Sequence, residues 1–190
     1  MKLYVKIGNY LFDYLFLSLL LFIAGILVIP LYATVVSVIA FYENEQFKSM
    51  FKVIKDNIKN IIILSLMVLF FGLMILLLLQ IRETGILYWF NRFVLVLLGL
   101  SILSLVMYPP MILIKMKVTF KELIRNTLYL MLIQYKSTAL MILLSIFMVY
   151  LSIYAIWALI LVVPWLQSIS FISNKALQIE KDKREKGEKI

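Results

Sequence analysis

The sequence predicts an all-α fold, a polytopic helical membrane protein of about five transmembrane helices with two cytoplasmic amphipathic helices at the membrane interface. Three observations carry that prediction. First, charge is swept out of long apolar stretches: none falls between Asp13 and Glu43, from Asn60 to Ile81, from Phe93 to Ile114 or from Ser137 to Asn174. Second, hydrophobic residues make up 64% of the 190 residues, more apolar surface than a soluble domain of this size can hide. Third, the 19 Lys and Arg, against 10 Asp and Glu for a formal charge of +9, gather beside the apolar stretches. In a soluble chain that excess points to nucleic acid. Next to apolar spans it points to anionic headgroups, so membrane lipids, and no nucleic acid, are the expected partners.

Residues 1–176 read as a single transmembrane domain and 177–190 as a charged cytoplasmic tail. The spans fall at about 14–42, 60–81, 93–114, 136–153 and 157–175. The run from Tyr14 to Tyr42 follows Lys2, Lys6 and Asp13. It is too long for the apolar region of a signal peptide and reads as a retained first span; Asp13 reads as an interfacial anchor near Lys6. Pro30 lacks a backbone N–H, so a kink is expected near Val28 and Ile29. Ala33, Thr34 and Ser37 follow it, small residues that let another helix approach closely. The spans 60–81 and 93–114 each have the length of one crossing; Tyr108, Pro109 and Pro110 predict a kink near the end of the latter. The stretch Ser137 to Asn174 would run about 57 Å as one helix, too long for one crossing and enough for two. Its turn is placed between Tyr150 and Trp157, among residues suited to an interfacial belt.

The amphipathic helices are expected at about 45–59 and 119–134. In the first, Phe47, Met50, Phe51, Ile54 and Ile58 share one face and Lys48, Lys52, Lys55 and Lys59 another, the pattern of a helix in the headgroup layer. In the second, Thr119 and Glu122 fit a capping box. Phe120, Leu123, Ile124, Leu128, Met131 and Leu132 line one face, and Lys121 and Arg125 are the headgroup candidates. The stretches beginning Phe47-Lys48 and Phe120-Lys121 echo each other after proline-containing spans, and predict a parallel repeat of span, interfacial helix and span.

With five spans, 43–59, 115–136 and the tail from Lys175 share a side and carry four, five and six Lys or Arg. The opposite side holds Lys2, Lys6, Arg82 and Arg92. The positive-inside rule then puts the N-terminus outside and the C-terminus in the cytoplasm of a multi-pass cell-membrane protein.

Three stretches resemble the YesL-like family of bacterial integral-membrane proteins, a domain of unknown function. They are Gly8-Asn9 and the apolar run into Ile29-Pro30-Leu31-Tyr32-Ala33-Thr34; Phe47 to Asn60; and Tyr108-Pro109 through Lys121-Glu122-Leu123-Ile124-Arg125-Asn126. The family usually has a glycine before its proline stretch and an aromatic-Asn signature in the first span; here Gly25 stands five residues before Pro30, and Ser18 lies where that asparagine is expected. The resemblance implies association with carbohydrate uptake in Gram-positive bacteria and implies no catalytic residue.

The chain has no Cys and no His, which removes thiol nucleophiles, imidazole bases and most transition-metal sites. No span carries a central acid for a proton relay. No serine has a histidine or flanking glycines to activate it, and no glycine-rich phosphate loop occurs. The expectation is a non-catalytic accessory or partner-binding membrane subunit, without catalytic, cofactor or metal residues. Pro30, Ala33, Thr34, Ser37, Tyr108 and Pro109 are its candidate packing or partner-facing residues, and the partner is another membrane protein or transporter subunit. One alternative is a transporter-like protein moving a neutral solute between proline-broken helices. The other is an immunity or membrane-stress protein.

Overall fold

The computed structural model describes residues 12–13, 16–19, 31–44, 46–81, 84–154 and 161–185. Among them the regular structure is all helical, with no strand. Residues 12–13 and 16–19 are helical. The elements that follow are α1 (Leu31–Asn44), α2 (Phe47–Gln80), α3 (Ile86–Met107), α4 (Pro109–Lys115), α5 (Phe120–Ile133), α6 (Tyr135–Tyr154) and α7 (Val162–Glu185).

The short helix α4 occupies the centre. Pro109, Pro110, Met111, Ile112 and Leu113 are all buried, as is Tyr108 before them, and α1, α2, α3, α5 and α7 all pack on this segment. Proline chemistry explains why the chain breaks here. Pro109 has no N–H to give the carbonyl four residues back, that of Leu105, so α3 ends and α4 starts afresh from an N-terminal proline. The orphaned Leu105 carbonyl accepts instead from the Tyr32 hydroxyl of α1 at 2.8 Å. The Met107 carbonyl accepts from Ser173 Oγ of α7 at 2.7 Å. Two helices are thus tied to the break by the groups it leaves exposed. The kink expected at Tyr108-Pro109 is present, inside the protein's own core.

α1 is apolar all round and buried all round, from Tyr32 and Thr34 through Phe41, as expected of a helix without a polar face. Pro30, Val28 and Ile29, with the expected kink, lie outside the described residues.

The interfacial helix expected at 45–59 and the span expected at 60–81 follow each other without a loop as α2, two helical stretches that meet at a kink at Asn57 (φ −123°, ψ 20°). The break falls close to the expected boundary, where the lysine-rich stretch gives way to the apolar run. The third span starts earlier than expected, at Ile86, directly after Gly85, whose φ of 72° glycine adopts without strain. The connection expected at 82–92 is correspondingly short; its Arg82 and Glu83 lie outside the described residues.

Outward-facing Leu66, Phe70, Leu73 and Leu77 of α2 and Phe93, Val96 and Leu97 of α3 leave this antiparallel pair broadly apolar on its free surface. Phe47–Gln80 and Ile86–Lys115 are long and apolar enough to cross a membrane, and Phe120–Ile133 with Tyr135–Leu151, bent by 96°, adds a third if counted as one span.

α5 and α6 meet at Gln134, where φ −96° and ψ 44° leave the helical region. α6 and α7 pack antiparallel: Trp165 Nε1 donates to Ser145 Oγ at 3.2 Å, and Ser173 Oγ lies 3.4 Å from Met141 Sδ. Ser137 to Asn174 therefore contains two helices rather than one; residues 155–160, on which part of the expected turn between Tyr150 and Trp157 falls, lie outside the described residues. Pro164 sits in the first turn of α7, where its missing N–H costs no helical bond. α7 continues through the boundary expected at 176–177 and stays helical to Glu185.

Candidate functional site at the basic end

The two connections and the start of the tail, which charge counting places on one side, meet at one end of the molecule. Glu43 at the end of α1 pairs with Lys115 at the end of α4. It also accepts from Asn174 Nδ2 of α7, at 3.0 Å and 3.2 Å to its two carboxylate oxygens. Asn57 Nδ2 reaches the Val53 and Leu113 carbonyls, both at 3.2 Å, and Asn60 Nδ2 donates to the Val118 carbonyl at 3.0 Å. Each amide ties α2 to α4 or to the segment leading into α5. The Tyr129 hydroxyl donates to Glu180 Oε1 at 2.9 Å, joining α5 to α7. Glu43, Asn57, Asn60, Tyr129 and Glu180 were not singled out by sequence reasoning. Two asparagines within a lysine-rich amphipathic stretch are the signal that was there to read.

This frame fixes what the amphipathic helices show outward. Met50 and Val53 of α2 are buried and Ile54 packs against the core, whereas Phe47, Phe51 and Ile58 point out. The five-residue apolar face expected for 45–59 is therefore split, and only its outer edge is free. Phe51, 74% exposed, stands beside exposed Lys48, Lys52, Lys55 and Lys59. α5 divides the same way. Leu123 is buried and Phe120 and Met131 pack inward, while Leu128 and Leu132, 56% and 77% exposed, continue the stripe begun by exposed Lys121 and Arg125. The i, i+4, i+7 and i+11 spacing of those four residues puts them on one face.

The start of α5 is fixed by the expected capping box. Glu122 N–H donates to Thr119 Oγ1 at 3.4 Å, and the Thr119 N–H and hydroxyl both lie 2.8 Å from Glu122 Oε2. The backbone N–H first, and then the hydroxyl, hold the Glu122 carboxyl below its usual value.

The candidate packing residues face inward. Thr34 and Ser37 are buried, Ala33 is half-buried, and Ser37 Oγ donates to the Ala33 carbonyl at 2.7 Å. Tyr108 and Pro109 lie in the core, with the Tyr108 hydroxyl 2.9 Å from Thr138 Oγ1. This chain's own helices occupy the surfaces these residues offer. Pro30 is outside the described residues. Buried Ser65, Thr127 and Ser145 each donate to the carbonyl four residues back, which satisfies a hydroxyl without assembling a polar site. Among the described residues, no three His, Cys, Asp or Glu come together as a metal site.

Compared with known proteins, the chain matches no family model, no curated protein and no solved structure.

Proposed function

We propose that the protein is a non-catalytic integral membrane protein that docks its basic end on the anionic cytoplasmic leaflet and serves as an accessory subunit to another membrane protein. The observation that carries the docking is the outward stripe on α2 and α5, where Phe47, Phe51, Ile58, Leu128 and Leu132 stand beside six cations. An exposed aromatic next to lysines suits the boundary between acyl chains and headgroups, and each cation near an anionic surface contributes about 1 kcal/mol. The broadly apolar outer faces of α2, α3 and α6 support a lipid environment. The five-crossing topology belongs to this proposal. α2, α3 and α6 supply three crossings and the charge-free runs 14–42 and 157–175 the others, with the C-terminus cytoplasmic.

The accessory role, the resemblance to the YesL-like family and the link to carbohydrate uptake belong to the same reading. A partner would meet the outer faces of α2 and α3, since Ala33, Thr34, Ser37 and Tyr108 are covered within the chain. Co-purification in mild detergent tests it: a monomer that retains no second membrane protein defeats the accessory role. Docking is read separately, by attaching the purified protein to vesicles. Reversing Lys48, Lys52 and Lys55 to Glu is expected to weaken binding to phosphatidylglycerol vesicles at least about tenfold, since three charges contribute about 3 kcal/mol. Unchanged binding at low salt sinks the docking surface.

A further inference from the structure

Opposite the basic end stands the tip of the α2–α3 pair. Its level is fixed by Asn91, buried in α3, whose Nδ2 donates to the Leu78 carbonyl of α2 at 3.1 Å. Because the two helices run antiparallel, Trp89 then stands level with Gln80. Around that level α3 is exposed on every side but the one that carries Asn91. Ile86 is 88% and Trp89 73% exposed, and Leu87, Phe90 and Phe93 are exposed as well. A contiguous apolar patch of this kind marks contact with a partner or a membrane.

The chemistry of the outward faces changes with height. Below the tip stand Leu66, Leu73, Val96 and Leu97, aliphatic side chains without a polar atom. At the tip, Tyr88 packs edge to face on Trp89, with ring centroids 5.6 Å apart, and the guanidinium of exposed Arg92 lies 5.0 Å from the Tyr88 ring centroid. Tyr and Trp each join an apolar body to a hydrogen-bond donor, the combination enriched where acyl chains meet headgroups. The guanidinium complements a lipid phosphate in charge and shape.

The spacing agrees. Lys59 is the last cation before the charge-free run of α2, and the helix rises about 32 Å from it to Gln80. A hydrocarbon core is roughly 30 Å thick. With Lys59 among the headgroups of one leaflet, Trp89 therefore reaches those of the other.

We propose that the α2–α3 tip is an aromatic anchor seated in the headgroup layer of the leaflet opposite the basic end. Tyr88 and Trp89 lie at the boundary with the acyl chains, and Arg92 lies on lipid phosphate. The inference rests on the membrane reading above for the bilayer, and on its orientation for calling that leaflet the outer one.

The test is the depth of Trp89 in the whole protein reconstituted into phosphatidylcholine vesicles. The fluorescence of wild type minus that of Trp89→Phe isolates this indole from Trp157 and Trp165. Phosphatidylcholine brominated close to the headgroup is expected to remove most of that signal, and lipid brominated near the chain ends little of it. Stronger quenching from the chain ends puts the tip in the bilayer interior and overturns the anchor. Quenching by aqueous iodide with no effect of either brominated lipid puts the tip in water and overturns it too. Protection from all three quenchers means that a second copy or another protein covers the tip, which also overturns it. Nitroxides on Ile86→Cys and Val96→Cys give a second measurement that leaves Trp89 in place. Collisions with a water-soluble nickel complex should dominate at Ile86, and collisions with oxygen at Val96, which is exposed below the tip. Oxygen dominating at both positions overturns the anchor. Oxygen at Val96 with Trp89 in water defeats the anchor alone, whereas nickel at both positions defeats the membrane reading and the anchor with it.

Discussion

Pro109 withholds a backbone donor from the Leu105 carbonyl, and the Tyr32 hydroxyl replaces it from another helix. A carbonyl left without a partner in a core costs about 1–3 kcal/mol. Tyr32→Phe keeps the ring in place and removes only the donor. We expect its thermal or denaturant unfolding in detergent to show a loss of that size, with helix content unchanged. A loss under about 0.5 kcal/mol, the lower limit for a typical hydrogen bond, would show that the carbonyl finds another partner when Tyr32 is removed. Asn57 works similarly in α2, bonding one carbonyl of its own helix and one of α4 at the residue where the helix bends.

Helix α5 shows how an element is started by local chemistry and oriented by distant contacts. Its capping box was legible because threonine and glutamate at that spacing satisfy two orphan N–H groups wherever they occur. Thr119→Ala should cost about 1 kcal/mol in unfolding free energy. The Glu122 carboxyl is held below its ordinary value in the folded chain. Its contribution is therefore present above the unfolded-state value and lost as the pH falls through the lowered folded one. Unfolding compared between wild type and Glu122→Gln should show a gap near neutrality that closes as the pH drops through the carboxylate range. A gap independent of pH would mean the carboxylate plays no part in the cap. Which residues of α5 face outward was a different matter. Leu123 and Leu128 lie about 140° apart around the helix, and packing against α4 and α7 decides which of the two sides faces the core.

At the scale of the molecule, the three basic segments converge because Glu43, Asn57, Asn60 and Tyr129 cross-link them. Because the chain has no cysteine, single cysteines report on sidedness without background. Lys52→Cys, Lys121→Cys and Lys175→Cys should resist an impermeant maleimide in intact cells and react after permeabilisation, and Trp89→Cys should react in both. Labelling of Lys52→Cys from outside would overturn the proposed orientation. Phe47 and Phe120 each begin a helix, and each of these helices meets the apolar stretch after it at a break, a kink at Asn57 in the first and a turn of 96° at Gln134 in the second.

What the sequence determined by itself is what depends on neighbours along the chain. That includes the all-helical character of the regular structure among the described residues, the apolar runs of α2, α3 and α6, the break at Pro109 and the cap at Thr119. Tertiary structure alone decided that α4 lies at the centre, that Thr34, Ser37 and Tyr108 face inward, and that a carboxylate on α7 meets a tyrosine on α5. The reason is range. Backbone donors, proline rings and helical periodicity act within about one turn, so one stretch of sequence contains cause and effect. Burial and cross-helix hydrogen bonds depend on which distant segment arrives opposite, and no single stretch carries that information.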